Sequence, residues 1–308
     1  MSKYAFWLAV VVALVGGHDV PSAQAPAKPT RINRAIELLG QGQPVYYTGG
    51  SGGYEEGKKL AQTPFDYINY DMEHGALDIT ALRAFMQGLV DGGPTATGHR
   101  TPAVIVTLPV LGLDEASMRA NYWVIQQVLA AGVHGILLCH TRVPDAARIM
   151  VEASRYPFAP KVEGLGEGFR GAGSQGFAAR IWGISGNEYL RRADPWPLNK
   201  EGELLLGVKI EDSHALANAE ETTKVPGVGF AEWGPSDMGF WLIGLPAPGQ
   251  TNLPAMQQAR ARVFQATRDA KIFFLNACND KDVVEMIREG VMICTGGYQV
   301  GRKFTNRQ

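Results

Sequence analysis

Short apolar runs alternate along the chain with longer segments in which apolar residues recur every three or four positions. The first pattern predicts β-strands and the second predicts amphipathic α-helices. Eight runs read as strands, at residues 45–48, 65–70, 103–107, 135–139, 204–210, 227–231, 271–275 and 291–295. Helical patterns lie between them, at residues 79–90, 118–130, 145–154, 254–269 and 280–289, and many end at or before a glycine.

This alternation predicts an α/β fold, a TIM (β/α)8 barrel, with its active site at the carboxyl ends of the strands. An open doubly wound sheet is the rival, but the chain has no convincing G-x-G-x-x-G after a first strand. No linker or break in composition divides the pattern. We therefore expect a single barrel domain over residues 28–308.

Two segments depart from a minimal barrel. Residues 157–200, between the fourth and fifth strands, form a Gly-rich insertion, which is either a mobile cover over the barrel mouth or a plain surface excursion. After the last strand only residues 296–308 remain, too few for a full eighth helix. A neighbouring copy of the chain would cover this shortened end, so we expect a homo-oligomer.

The N-terminal residues predict an export signal. Residues 4–17 are almost wholly apolar and are followed by small residues at 22–27. The apolar run is shorter than the roughly 20 residues of a membrane-spanning helix, which argues against a permanent membrane anchor. Cleavage after Ala27 is favoured over Ala25, because Pro26 would follow the latter cut. We expect residues 1–27 to be a signal peptide and the mature protein to be periplasmic or secreted; a buried N-terminal helix is the alternative.

Composition narrows the class of partner. The chain has 308 residues, of which 45% are hydrophobic, and a formal net charge of -1. It can bury a large core, and it has no basic stripe that would favour nucleic acid, so a small-molecule substrate is expected. Cys139, Cys278 and Cys294 are an odd, widely spaced set, typical of buried thiols rather than a disulfide framework, although Cys278 and Cys294 could pair.

Acidic residues follow three of the predicted strands. Residues 70–75 read Tyr-Asp-Met-Glu-His-Gly, Glu211 and Asp212 end the strand at 204–210, and Asp237 follows the strand at 227–231. Because the carboxyl ends of barrel strands meet at one face, these acids predict a shared site.

Four short motifs carry a family resemblance. They are D-x-E-H at 71–74, R-Y-P at 155–157, K-I-E at 209–211 and G-P-S-D at 234–237. In this order, from about residue 45 to 295, the chain resembles the HpcH/HpaI aldolase/citrate lyase family. These class II lyases of the pyruvate/phosphoenolpyruvate barrel superfamily make and break carbon–carbon bonds with the help of a divalent metal ion.

The resemblance implies that Glu211 and Asp237 are the metal ligands. Two carboxylates at neighbouring strand ends form an oxygen-rich site that suits Mg²⁺ or Mn²⁺. The alternatives are a surface acid after a strand for Glu211 and a helix N-cap for Asp237.

The resemblance also implies that His74 is the acid/base residue, a task that suits imidazole near neutral pH. A structural histidine at a helix N-terminus is the alternative. Asp71 and Glu73 are expected to orient His74 or a metal-bound water, with Asp71 the more inward of the two.

Other residues are candidates for substrate binding. Gly234 and Pro235 would form an irregular turn whose backbone N–H groups face a carboxylate, and Ser236 would add a hydroxyl. His140 and Arg142 follow the fourth strand, where they either contact the substrate or lie in a solvated loop.

The chain departs from the family at two places. Residues 106–109 read Val-Thr-Leu-Pro where relatives supply a substrate-binding Arg, and residues 129–132 lack the Asp that pairs with the acid/base His. Lys209 lies two positions before Glu211, so both point into the barrel. It either replaces the missing Arg as a point charge or pairs with a neighbouring acid.

We therefore expect a divalent-metal-dependent carbon–carbon lyase that acts on an oxo acid or a related carbonyl substrate through a metal-stabilised enolate. Aromatic residues at the predicted mouth, namely Tyr46, Tyr47, Tyr70, Trp233, Phe240 and Trp241, favour a bulkier substrate. A metal-dependent hydrolase or isomerase, or an exported binding protein without turnover, is the alternative.

Overall fold

The computed structural model describes residues 30–245 and 250–307. The export signal predicted at residues 1–27 lies outside the described residues. The strands are β1 (Val45–Gly50), β2 (Tyr67–Asp71), β3 (Ala103–Thr107), β4 (Gly135–Leu138), β5 (Pro195–Trp196), β6 (Leu204–Lys209), β7 (Phe230–Glu232), β8 (Phe273–Asn276) and β9 (Ile293–Cys294).

The strands form one closed parallel barrel. β1 to β4 pair in chain order, as do β6 to β9. β4 pairs with β6 and β1 pairs with β9, which closes the sheet. The short β5 pairs only with β6 and stands outside the eight-stranded ring. The TIM-barrel prediction is confirmed, and the doubly wound alternative is wrong because an open sheet would leave β1 and β9 unpaired.

Helices surround the barrel. They are α1 (Arg34–Gly40), α2 (Tyr54–Leu60), α3 (Ile79–Asp91), α4 (Glu115–Asn121), α5 (Trp123–Ala130), α6 (Pro144–Ser154), α7 (Gln175–Trp182), α8 (Gly186–Arg192), α9 (Ser213–Ala217), α10 (Ala219–Thr223), α11 (Pro235–Leu242), α12 (Pro254–Ala270), α13 (Val283–Glu289) and α14 (Tyr298–Phe304). The helix expected at residues 118–130 is two helices that meet at Tyr122.

Alternating strand residues build two apolar layers. Inward-facing side chains such as Tyr67, Ile105 and Phe230 form the barrel interior, and α1 seals the amino-terminal ends of the strands, here called the base. The opposite strand faces pack against the helices. The carboxyl ends of the strands, here called the mouth, remain free to carry polar groups.

The Gly-rich insertion does not cover the mouth. Trp182 of α7 donates to Gly132 O at 2.8 Å and stacks on His134, and Tyr189 of α8 is buried. Gly132 and His134 precede β4, so these insertion helices pack on the base and flank of the barrel. The expectation of a mobile cover is wrong because Ile181, Trp182 and Tyr189 are core residues.

The C-terminal end supplies its own cover. It is short, as expected, but α14 packs on the barrel, where Gly301 lies against Tyr46, and Arg302 and Arg307 both bond Asp66. This end is thus covered within the chain itself, and the expected homo-oligomer stays a prediction.

Cys278 and Cys294 form a disulfide with a Cα–Cα distance of 5.4 Å, which joins the ends of β8 and β9. Cys139 is a buried free thiol. In the part of the chain that the structure describes, no helix has the length and apolarity needed to span a bilayer.

Candidate active site

The turn after β2 positions His74. Asp71 Oδ1 accepts the backbone N–H groups of Glu73 at 2.8 Å and His74 at 3.1 Å, and its Oδ2 lies 2.8 Å from His74 Nδ1. Hydrogen bonding to Asp71 raises the pKa of His74. Burial acts to raise the pKa of Asp71, but the bonds from His74 and Glu73 outweigh it and lower that pKa. An aspartate thus holds an imidazole at the mouth, the arrangement of a general base with its orienting acid.

Glu73, rather than Asp71, is the inward carboxylate. The Asp71 side chain is 35% exposed and that of His74 is 68% exposed, whereas Glu73 is 6% exposed and accepts from Lys209 Nζ at 2.6 Å. The expectation that Asp71 points further inward is wrong, because the strand ends at Asp71 and its turn swings the next carboxylate into the barrel.

Lys209 lies between acids inside the mouth. Its Nζ is 2.6 Å from Glu73 Oε2 and 3.0 Å from Glu211 Oε2. Burial lowers the pKa of Lys209, but the negative charges of Glu232, Glu211 and Glu73 outweigh burial and raise it. The ammonium is therefore a fixed charge paired with carboxylates, which agrees with the pairing alternative left open for this residue.

Glu232 was missed by the sequence reasoning. It ends β7 in register with Lys209, and its pKa is raised to about 7, first by desolvation and then by Glu211 and Glu73, against the opposing effect of Lys209. The signal that could have found it is the alternation of strand residues, because Phe230 lies in the barrel interior and Glu232 is two positions later.

The segment after β4 brings His140 to Glu211. His140 adopts the left-handed conformation with φ 47°, and its backbone N–H donates to Glu211 Oε1 at 2.8 Å. Its ring Nε2 lies 3.7 Å from the same oxygen. His140 was expected to bind substrate, and the structure places it beside the candidate metal ligand.

His140, Glu211 and Asp237 can bind a metal ion together. Their nearest ligand atoms all lie within 4.8 Å of one another. Glu211 Oε2 is buried and receives no hydrogen bond, although it lies in an ion pair 3.0 Å from Lys209 Nζ, and burial raises the pKa of this carboxyl. Two carboxylates and an imidazole at these distances suit a divalent cation.

A second possible cluster, Glu73 with Cys139 and Glu211, overlaps the first through Glu211. The Lys209 ammonium already lies against both of its carboxylates. The positive charge that this cluster requires is thus supplied by the chain itself.

Gly234 allows α11 to begin against Glu211. It has φ 48°, and a Cβ at this position would lie 2.3 Å from Glu211 Cβ. Pro235 starts α11 and has no N–H, so donors to a carboxylate would be the backbone groups of Ser236 and Asp237, which lack intrahelical partners. Ser236 is exposed and Asp237 is half-buried.

Asp212 organises the neighbouring side of the mouth. Its Oδ1 caps α9 by accepting from His214 N and Ala215 N, and its Oδ2 lies 3.0 Å from His140 Nδ1 and 2.8 Å from Arg142 Nε. These bonds outweigh burial and hold the pKa of Asp212 well below its usual range. A carboxylate that orients the far nitrogen of a metal-site imidazole is a common support in metal centres.

Neither position at which relatives carry the substrate-binding Arg or the His-pairing Asp supplies such a group in this chain. At the end of β3, Thr107 donates to Asn69 at 2.7 Å and Leu108 is buried. Residues 129–132 end α5 at the base, opposite His74. Within this chain, the acid that pairs with His74 is Asp71.

Fewer aromatic side chains are exposed at the mouth than the sequence predicted. Tyr46, Tyr70 and Trp233 are buried, and the Tyr70 hydroxyl donates to Gly52 O at 2.8 Å. These three are core residues, since a parallel strand buries both of its faces. Phe240 and Trp241 on α11 are exposed.

Comparison with known proteins finds relatives of this chain. The sequence profile described as HpcH/HpaI aldolase/citrate lyase matches residues 57–304. A hydroxypyruvate/pyruvate aldolase of Deinococcus radiodurans is 29% identical over 209 residues, 68% of this chain and 64% of the relative. Another of Delftia acidovorans is 26% identical over 246 residues, 79% of this chain and 76% of the relative.

Solved structures show the same fold. An HpcH/HpaI aldolase/citrate lyase family protein from Burkholderia cenocepacia superposes with a TM-score of 0.64 at 22% identity, covering 86% of this chain and 91% of that one. Macrophomate synthase superposes with a TM-score of 0.63 at 17% identity, covering 92% of both chains.

Proposed function

Because the chain belongs to the HpcH/HpaI aldolase/citrate lyase family, we propose that it is a divalent-metal-dependent carbon–carbon lyase acting on an oxo acid. The observation that carries the proposal is the cluster of His140, Glu211 and Asp237 at the mouth, whose ligand atoms lie within 4.8 Å of one another. The relatives named hydroxypyruvate/pyruvate aldolase support the reaction class.

A divalent cation bound by Glu211 and Asp237 would supply Lewis-acid stabilisation of the negative charge that develops on the substrate oxygen during bond cleavage. Mg²⁺ and Mn²⁺ both suit the carboxylates, and an imidazole ligand from His140 would favour Mn²⁺.

His74 is the residue that moves the proton. Its ring is exposed to the mouth, and Asp71 binds Nδ1, which leaves Nε2 for the substrate. Glu73 lies 3.8 Å from Nε2 and keeps Lys209 in place. In the cleavage direction, neutral His74 would take the proton of the substrate hydroxyl group as the carbon–carbon bond breaks.

Metal content tests the site. Glu211→Ala and Asp237→Ala should each lose stoichiometric Mn²⁺ in elemental analysis, because each removes a ligand from a small set. Glu201→Gln, an exposed acid just after the insertion, is the matched control and should retain the metal. Full metal occupancy in both site variants would show that the assignment is wrong.

Release of pyruvate from a 4-hydroxy-2-oxo acid tests the reaction. The buried Leu108 at the place of the family's Arg, together with the pairing of Lys209, favours a metal-dependent hydrolase or isomerase of a larger substrate as the second candidate. Metal binding without pyruvate release would select that candidate, and ligand binding without any turnover would select an exported binding protein.

Export and assembly are proposed separately. The Cys278–Cys294 disulfide supports an oxidising compartment, and N-terminal sequencing should find a mature start between Pro26 and Lys28. A homo-oligomer is supported by the exposed apolar residues Phe240, Ile243 and Leu245 beside the mouth. Light scattering at micromolar concentration would reveal a monomer if this proposal is wrong.

A further inference from the structure

We propose that a cavity at the base of the barrel binds a phosphate-class oxyanion, either free inorganic phosphate or the phosphate group of a small ester. The cavity has a volume of about 110 Å³ and is lined in part by Arg34 of α1, Arg302 of α14, and Thr63, Thr95 and Thr97. It is a second site, separate from the candidate metal site at the mouth.

Four segments that are remote in the chain form this cavity. They are the start of α1, the loop at residues 63–66, the loop at residues 95–102 and α14. The two loops lead into β2 and β3, so the cavity lies at the amino-terminal ends of the strands. The inference is therefore independent of the proposed lyase function.

Each of the two guanidinium groups keeps one terminal nitrogen free. Arg34 Nη1 donates to Glu37 Oε2 at 2.7 Å, and Arg302 Nη2 donates to Pro64 O at 2.7 Å and to Asp66 Oδ1 at 3.2 Å. Over residues 30–245 and 250–307, Arg34 Nη2 and Arg302 Nη1 have no hydrogen-bond acceptor. The side chains are 18% and 21% exposed, so both are held in place and still accessible to a ligand.

The two acids beside the cavity already have donors at their oxygens. Asp66 Oδ2 accepts from Tyr46 N at 2.9 Å, and its Oδ1 is also bonded by Arg307. Glu37 Oε1 accepts from Thr30 N at 3.1 Å and from the Thr30 hydroxyl at 2.9 Å. The acids are thus engaged elsewhere, and the free guanidinium nitrogens need an acceptor from outside the chain.

The charges around the cavity do not cancel. Arg34, Arg302 and Arg307 carry three positive charges, against the two negative charges of Glu37 and Asp66. A surplus of positive charge in a partly buried site attracts an anion, because solvent screens it less than it would at the surface.

His99 does not change this balance. Its Nε2 lies 3.2 Å from Glu37 Oε2 and its Nδ1 lies 2.9 Å from the Thr97 hydroxyl. Burial lowers the pKa of His99, so the ring is uncharged at neutral pH. The arginines alone therefore supply the positive charge that an anion would meet.

Neutral donors add to the lining. The proton of the Thr63 hydroxyl has no acceptor in the part of the chain that the structure describes. The turn at residues 95–98 is closed by a 2.9 Å bond between its first and last residues, which leaves the N–H groups of Ala96 and Thr97 without an acceptor among the described residues. Charged and neutral donors from several segments match an anion with several acceptor oxygens.

The size of the cavity limits the ligand. One water molecule requires roughly 10–15 Å³ of such space, so the cavity has room for a tetrahedral oxyanion. It is too small for the rest of a metabolite. Pro64 and Ala96 line it and are exposed, so the organic part of an ester would extend past them into solvent.

The test is a calorimetric titration of the Mg²⁺-loaded protein with inorganic phosphate at pH 7. Wild type should bind phosphate, and Arg34→Gln and Arg302→Gln should each weaken binding about tenfold or more, the scale of one charge-assisted contact. Arg34→Lys should keep part of the affinity. Arg288→Gln, which changes an exposed arginine of α13, is the control and should keep all of it.

The same titration with glycerol 3-phosphate distinguishes the two sources of the ligand. Binding as tight as that of phosphate, and weakened by Arg34→Gln, would identify an ester. Weaker binding than that of phosphate would identify the free anion.

Two results would overturn the proposal. The first is a wild type that binds neither compound. The second is phosphate binding that stays at the wild-type level in folded Arg34→Gln, and binding of this kind that requires Mg²⁺ would belong to the mouth. If Arg302→Gln fails to fold because Asp66 loses a partner, Arg34→Gln alone decides, since its own partner Glu37 keeps the donors of Thr30.

Discussion

The acids at the base of the barrel differ from those at its mouth in how completely they are paired. At the base, Asp66 accepts from Tyr46 N at 2.9 Å and bonds both Arg302 and Arg307. The fully buried Glu203 accepts from Asn33 N at 2.9 Å and pairs with Arg31 and Arg192. Every carboxylate oxygen there has a donor.

At the mouth the acids outnumber the cations. Glu211 leaves one buried oxygen without a hydrogen bond, and the pKa of Glu232 rises to about 7 because desolvation exceeds the help of Lys209. Fully paired charges stabilise a fold, whereas clustered acids with raised pKa values are typical of functional sites. Both ends of the barrel contain buried charged side chains, but only the mouth has the excess of carboxylates that would bind an added cation.

The largest expected effect comes from Glu211→Gln. It should lower lyase activity about 100-fold or more, because it replaces a charged carboxylate ligand with a neutral, more weakly binding amide. The metal-free variant should be no less stable than wild type in urea, since burial already disfavours the charged carboxylate. A metal-free variant that is several kcal/mol less stable would mean that the mouth acids are structural.

Glu203→Gln is the matched change at the base. It should cost about 3 kcal/mol of unfolding free energy, because it removes the shared partner of Arg31 and Arg192 from a buried network. Manganese binding by the folded fraction should not change. Glu201→Gln, its exposed neighbour, controls for a general loss of negative charge, and equal stability of the two variants would contradict the comparison.

His134, at the amino-terminal end of the barrel, should make the stability of the fold depend on pH. Burial lowers its pKa from 6.5 to about 3, so the folded protein keeps the ring neutral while the unfolded chain takes up a proton. Its stabilising contribution is complete above pH 6.5 and is lost as the pH falls towards 3. The unfolding free energy should decline by about 1.4 kcal/mol per pH unit from this group.

His134→Gln should flatten that decline in urea unfolding measured from pH 7 to 4. His214→Gln, an exposed histidine, should leave the slope as it is. An unchanged slope in His134→Gln would place the acid sensitivity elsewhere.

The smallest expected effect is that of Asp71→Asn on the pH profile. The Asp71 hydrogen bond raises the pKa of His74, so its loss should move the acid limb of kcat/KM towards lower pH and reduce the rate about tenfold through poorer orientation. Asp114→Asn removes the same kind of turn carboxylate from α4 and should not shift the limb. A profile identical to wild type would remove His74 from the proton-transfer step.

Local patterns of apolar residues were sufficient to predict where most strands of the barrel lie. Ala103–Thr107 is a continuous apolar, β-branched run, as a strand buried on both faces requires, and it was predicted to the residue. The predicted starts of β7, at Gly227, and β9, at Val291, precede the observed ones at Phe230 and Ile293. Strand ends depend on ladder partners, which are remote in the chain.

The sequence by itself also predicted most of the acids that gather at the mouth, Glu232 excepted, because every parallel barrel strand presents its carboxyl end there. Only the tertiary structure decided how they are used. The turn at Asp71 sends Glu73 inward, and the left-handed His140 meets Glu211 across 71 positions of the chain. The insertion packs on the base because Trp182 and Tyr189 find buried surface there. Periodicity encodes the faces of single elements, whereas contacts between distant segments, and hence the charge balance of the site, arise when those faces pack together.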